Sequence, residues 1–228
     1  MQINGATVLV TGGNRGLGKA FVEEFLERGA TKVYAAARDP RSVTNLGAVP
    51  IALDVTDPES IARAAAEAGD VTLIVNNAGV STSSPTFIEA DPADIRRAFE
   101  TNVFGPLDVT RAFVPALVAN GGGHVLNVAS VLSWLPSGGY GATKAALWSA
   151  TNALRAELKP RGIGVTGLYM GYVDTDMAAH VTLPKSEPRV ITRAAADGIE
   201  ADAEEVLADE VTRAVRAALS GDPAAALA

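Results

Sequence analysis

Six short runs rich in Val, Ile, Leu and Ala, at 6–10, 32–36, 49–53, 71–75, 123–128 and 164–168, alternate along this chain with longer segments patterned as helices. Such runs are apolar on both faces, as in parallel strands buried beneath helices. The intervening segments 16–28, 58–67, 92–118 and 141–159 are expected to be helical. Pro58 and Pro92 fall at first-turn positions, where a missing N–H costs nothing, and Asp57 and Asp91 precede them as caps. Strand–helix alternation builds βαβ units, and right-handed crossovers put helices on both faces of the sheet. The expected fold class is α/β, a doubly wound parallel sheet. With 228 residues, 48% of them hydrophobic, and no linker, repeat or low-complexity block, a single domain over 1–228 is expected.

Charge and residue usage narrow the function classes. A formal net charge of -7 repels phosphate backbones and argues against a nucleic-acid partner. Glu204, Glu205, Asp209 and Glu210 form the densest acidic patch, expected to be a solvated face. The chain has no cysteine, which excludes disulfides, thiolate zinc sites and thiol catalysis. His124 and His180 are each expected to be surface or loop residues sharing no site, so no metal is expected. The N-terminal residues lack the basic leader of a secretory signal, and no apolar stretch reaches membrane-spanning length. The expectation is a cytoplasmic protein with no membrane partner, its Ala-rich end at 224–228 frayed.

The first strand runs directly into Thr11-Gly12-Gly13-Asn14-Arg15-Gly16-Leu17-Gly18, and a helix follows. Glycines let the backbone turn tightly and approach a diphosphate, while the helix N-terminus offers free N–H groups and the positive end of its dipole. Gly12, Asn14, Arg15, Gly16, Leu17 and Gly18 are the candidate phosphate-binding residues. An NAD site carries an acid at the end of the second strand, to hold the ribose 2'-hydroxyl. Here that strand ends Tyr34-Ala35-Ala36-Ala37-Arg38, with Arg38 at the acid's place or one residue beyond. Arg38 and Arg15 together favour a 2'-phosphate, so NADP(H) is the expected cofactor. Asp39 keeps NAD(H) possible.

Tyr140-Gly141-Ala142-Thr143-Lys144 carries the strongest chemistry. Tyr140 and Lys144, at i and i+4, share one helix face. A free phenol has a pKa of about 10, too high for a base at neutral pH. A neighbouring ammonium favours the phenolate, and Lys144 is expected to lower the pKa of Tyr140 accordingly. Ser130 ends the fifth strand in Asn127-Val128-Ala129-Ser130, placed to hydrogen-bond a substrate carbonyl. Asn102 and Gly105 sit inside a helical segment where both are poor choices, which calls for a reason.

From Thr11 to about Thr175 the order of these motifs resembles the short-chain dehydrogenase/reductase family. Asn102, Ser130, Tyr140 and Lys144 match its catalytic tetrad. The resemblance implies a seven-stranded Rossmann sheet, with 204–208 as the last strand and a helix through Leu219. It implies that Asn102 helps hold a proton-relay water beside Lys144. It also implies that Asp54 and Val55 meet the adenine, that Asn77, Ala78 and Gly79 line the cofactor after the fourth strand, and that Gly171, Val173 and Thr175 grip the nicotinamide amide.

Three departures stand out. Met170 replaces the family's usual proline. The stretch from Ser130 to Tyr140 is about three residues short; Trp134, Leu135 and Pro136 within it are expected to line the substrate pocket, and the shortening could misplace Ser130. The chain also lacks the terminal extension that builds many family tetramers, so a homodimer through 92–118 and 141–159 is favoured over a homotetramer. A lid at 177–188, with Met177, His180 and Leu183, suggests an apolar, medium-sized carbonyl or alcohol substrate. The expected function is an NADPH-dependent carbonyl reductase. The alternative is a cofactor-binding sensor or scaffold with little turnover; epimerisation or dehydration on the same fold is a minor third option.

Overall fold

The computed structural model describes residues 1–219. The segment 224–228, expected to fray, lies outside them. Seven strands run parallel: β1 (Thr7–Thr11), β2 (Lys32–Ala37), β3 (Val49–Ala52), β4 (Leu73–Asn76), β5 (Gly123–Val128), β6 (Ile163–Tyr169) and β7 (Glu205–Leu207). Their spatial order is β3-β2-β1-β4-β5-β6-β7. The order reverses between β1 and β4, and ligands of such sheets bind in the crevice beyond the strands' C-terminal ends at that point.

Helices cover both faces: α1 (Gly16–Glu27), α2 (Pro58–Glu67), α3 (Pro92–Phe99), α4 (Gly105–Ala119), α5 (Gly138–Leu158), α6 (Pro188–Glu200) and α7 (Glu210–Ala218). Alternate residues of the inner strands feed two cores. Val8, Val10 and Leu168 pack with Phe21 and Phe25 of α1 and Ile191 and Ile199 of α6. Leu9, Ile74 and Val125 pack with Ile61 of α2 and with Phe113 and Leu117 of α4. Each such side chain contributes about 1.5–3 kcal/mol by leaving water.

The segment 92–118, expected as one helix, is interrupted. A π-helical turn at Glu100–Phe104 joins α3 to α4 and contains Asn102. Its cause is local. Pro106 has no N–H to give the Asn102 carbonyl, its ordinary partner four residues back. Gly105 lets Val55 approach to within about 3.0 Å of where a Cβ would stand. α6 is not among the helices expected from sequence, although Ile191, Ala195 and Ile199 are fully buried at helical spacing. α5 begins at Gly138, three residues earlier than expected, which places Tyr140 in its first turn. Gly138 is left-handed at φ +49°, and a Cβ there would collide with the Pro85 carbonyl.

His124 is a correction to the surface reading. It lies within β5 and is 2% exposed. Its Nε2 meets Thr166 Oγ1 at 2.8 Å, and the Thr166 hydroxyl donates to Ala203 O at 2.5 Å. Thr166 can then only accept, so His124 carries its proton on Nε2. The acidic patch is also not simply a solvated face. Glu205 accepts from the Trp148 indole at 3.2 Å and pairs with Arg216 at 3.0 Å, and Asp209 caps α7. Among the described residues no helix is long and apolar enough to cross a membrane.

Candidate active site

The glycine loop is braced from the end of β4. Thr11 Oγ donates to Val75 O at 3.2 Å and accepts from the N–H groups of Asn77 and Ala78 at 2.9 and 3.0 Å. Asn77 Nδ2 returns a bond to Thr11 O at 2.9 Å. Gly12 is left-handed at φ +64°, and a Cβ there would stand 3.2 Å from Ala78 Cα. A Cβ on Gly18 would overlap the Gly12 carbonyl. Leu17 turns its side chain into the core, leaving only its backbone toward the loop. Asp57, Asp91 and Asp209 cap α2, α3 and α7, whereas Arg15 makes no capping bond on α1 and the first turn of α1 holds no acid. The first N–H groups of α1 are left for an external anion.

Arg15 and Arg38 are both exposed at this end of the sheet. Asp39 is turned away from it: it caps the turn Pro40–Ser42 and binds the Arg41 guanidinium at 2.9 and 3.1 Å. Asn14 Nδ2 reaches Ser42 Oγ at 3.0 Å, tying the glycine loop to that turn. Asp54 Oδ1 accepts from the Thr56 N–H and hydroxyl at 2.9 and 2.7 Å. These bonds hold its carboxyl below the usual range, with Arg38 adding to the effect. Val55 is buried.

Opposite the loop, the Thr175 methyl lies 3.4 Å from where a Gly16 Cβ would be. The segment Gly171–Thr175 therefore faces the glycine loop across the crevice. It is anchored to the lid by a bridge between Val173 and Ser186, with Asp174 N–H donating to Ser186 O at 2.9 Å and Ser186 N–H to Tyr172 O at 2.8 Å. Lys185 adds an ion pair with Asp174 at 3.3 Å.

Between these walls stand the four polar residues singled out by sequence. Lys144 is buried and its Nζ donates to Val128 O at 2.8 Å, two residues before Ser130. That nitrogen lies 5.6 Å from the centre of the Tyr140 ring. Tyr140 is half-buried, and its hydroxyl has no hydrogen-bond partner among the described residues. The expected depression of its pKa by Lys144 is not found. Burial pushes the phenol up to about 12, with Tyr172 adding to the effect. Burial also brings Lys144 down to about 8. The desolvation of both groups outweighs an ammonium that does not touch the phenol.

Asn102 is fully buried, and its side chain is committed. Oδ1 accepts from Val80 N–H at 2.8 Å, while Nδ2 donates to Val80 O at 2.9 Å and Thr143 Oγ1 at 3.0 Å. Its backbone carbonyl faces Pro106, which has no N–H to offer it. Gly79 fits against this pair: a Cβ there would stand 3.2 Å from Asn102 Oδ1 and 3.9 Å from Lys144 Nζ. Ser130 Oγ accepts from Leu132 N–H at 3.1 Å and makes a long contact of 3.5 Å to Met170 O.

The short loop differs from expectation at Trp134. Its ring stacks on Tyr169 at 4.6 Å, meets Trp148 edge-on at 6.3 Å and lies under Arg216. It is core packing, not pocket wall. A compact turn at Val131–Ser133 takes up the missing length. Tyr172 and Asp209, absent from the sequence-based site, both belong beside it. Tyr172 was visible as the aromatic within the Gly171–Thr175 string; Asp209 had no signal beyond its place in an acidic run. A separate hollow of about 600 Å³, lined by His124, Arg155, Lys159 and Asp202, lies at the opposite end of the strands and contains none of these groups.

The sheet order, the uncapped helix behind a glycine loop and a tyrosine beside a buried lysine define a dinucleotide-binding protein of the Rossmann class. The chain belongs to the short chain dehydrogenase family, whose model matches residues 6–185. A sorbitol dehydrogenase of Cereibacter sphaeroides is 35% identical over 210 residues, 83% of this chain and 82% of its own length. A short chain dehydrogenase of Pseudocercospora fijiensis is 32% identical over 194 residues, 78% of this chain and 63% of its own length. The crystal structure of a short chain dehydrogenase from Burkholderia cenocepacia J2315 in complex with NADP superposes with a TM-score of 0.94 at 40% identity, covering 99% of this chain and 97% of that one. The family expected from the motifs is thus the family found, and the relatives just named are dehydrogenases.

Proposed function

We propose that this chain is an NADP(H)-preferring oxidoreductase that reduces an apolar ketone or aldehyde, or oxidises the matching alcohol, with Tyr140 as its acid/base. The observation that carries this is the unpartnered Tyr140 hydroxyl beside buried Lys144, at the crevice where β1 and β4 part. The residues present fit a dinucleotide. Gly12, Asn14, Arg15, Gly16, Leu17 and Gly18 would hold the diphosphate against the open end of α1. Arg15 and Arg38 would meet a 2'-phosphate, with Asp39 occupied elsewhere. Asp54 and Val55 would flank the adenine. Asn77, Ala78 and Gly79 would back the ribose side, and Gly171, Val173 and Thr175 the nicotinamide. When bound, that group supplies or accepts the hydride.

The side chains then have separate tasks. Ser130 would donate a hydrogen bond to the substrate oxygen, and Tyr140 would give that oxygen a proton. Lys144 would stabilise the phenolate left behind, and the Asn102 carbonyl would accept from a water refilling the proton. Exposed Phe87, Ile88, Met177 and Leu183 support an apolar substrate. Phe87 and Ile88 follow the Pro85–Thr86 segment that packs on Gly138. Likeness to a sorbitol dehydrogenase favours a polyhydroxy substrate as a second reading.

The test is loss of reduced-nicotinamide absorbance with NADPH and NADH, against ketones, aldehydes and ketoses. Tyr140→Phe should lower turnover by ~10²–10⁴-fold, the worth of a positioned acid, while NADPH binding persists. Binding without turnover in the unaltered protein would favour the sensor reading. Arg15→Ala combined with Arg38→Ala should weaken NADPH far more than NADH in fluorescence titrations. Equal losses would sink the cofactor preference.

A further inference from the structure

The Met170–Gly171 peptide is held from both sides. Its carbonyl accepts from Val131 N–H at 2.9 Å and lies 3.5 Å from Ser130 Oγ. Its N–H donates to Asp209 Oδ2 at 2.6 Å. Asp209 follows β7, whose last bond to the neighbouring strand runs from Ala208 N–H to Tyr169 O at 2.9 Å. The carboxylate therefore takes the next place in that ladder, where a backbone carbonyl would otherwise stand. Its second oxygen, Oδ1, accepts from Thr212 N–H at 2.8 Å and caps α7. Two N–H groups from two elements need two acceptors at one position. A carboxylate provides them; a serine, common at helix caps, provides one and is too short to reach both.

We propose that Asp209 is a positioning residue for the site, acting through the Met170–Gly171 peptide. The charge-assisted bond fixes the orientation of that peptide and hence the carbonyl that Ser130 and Val131 share. The same bond sets where the Gly171–Thr175 segment leaves the sheet. In this chain the loop that carries Ser130 toward Tyr140 is short, and Asp209 steadies it from the far side of the sheet edge. The role rests on the function proposed above, because only there does the direction of the Ser130 hydroxyl matter.

The test uses the full chain labelled with ¹⁵N, with Asp209→Ser, which keeps the α7 cap, and Asp209→Asn, which keeps the size. Asp209 does not touch Val131. In Asp209→Ser the Gly171 amide should lose its downfield shift. The Val131 amide should move too and exchange faster with solvent, while the Thr212 amide stays protected. A shifted Gly171 with an unchanged Val131 would overturn the proposal and leave Asp209 a local cap. With a turned-over ketone, Asp209→Ser should lower kcat about tenfold, within the loss that small misplacements cause. It should lower kcat no further in a Ser130→Ala background. Additive losses would count against it. The amide measurement needs no substrate, so an inactive wild-type protein would count against the proposed function alone.

Discussion

Lys144 carries its ammonium into a buried place and finds the Val128 carbonyl there, 5.6 Å from the centre of the Tyr140 ring. Both are pushed toward their neutral forms, the phenol to about 12 and the amine to about 8. Spacing alone showed the pair; desolvation, which decides the direction of the phenol's shift, is invisible in a one-dimensional string. His124 makes the same point. Burial, helped by the N-terminal amine and opposed by Asp202, holds its pKa down to about 4. An unfolded histidine titrates at about 6.5, so between these values the unfolded chain binds more protons. This contribution to stability is complete above the unfolded value and is lost as pH falls toward 4. Urea unfolding at pH 7 and pH 5 should show about 2 kcal/mol of loss attributable to this residue. His124→Asn should remove that part of the slope; an identical slope in the variant would exclude it.

Among the elements, strands and capped helices were legible because their causes are local. Asp57 and Asp91 cap where their positions before Pro58 and Pro92 say they should. The π-helical turn was not legible as such, yet its ingredients were: Asn102 and Gly105 broke the helical preference, and Pro106 withholds the N–H that a regular helix needs. Pro106→Ala should supply that N–H and let the turn relax toward α. We expect turnover to fall about tenfold or more, the scale of a lost proton-transfer role, with melting temperature unchanged or raised. A variant of unaltered kcat would remove the Asn102 carbonyl from the mechanism. The compact Val131–Ser133 turn and the inward Trp134 could not be foreseen, since their partners Tyr169, Trp148 and Arg216 come from later elements.

At the scale of the molecule, α4 exposes Val118 at 47%, and the turn before it exposes Phe104 at 48%. A second copy meeting this face through α4 and α5 would cover both, and sedimentation should report a dimer. Phe104→Glu places a charge there and should shift the population to monomer; an unchanged dimer would move the interface elsewhere. The sheet itself has a further consequence, in how the chain is made. β1 is synthesised before β2 and β4 but lies between them, and the apolar face of α1 is closed by α6. Arg28 locks that closure through Glu24, Asp197 and Glu200, and the Met1 amine bonds Ile199 O. On the ribosome, then, the opening βαβ unit stays bare until residue 199 has emerged. Truncated translation products should be captured by chaperones or precipitate rather than accumulate as soluble halves.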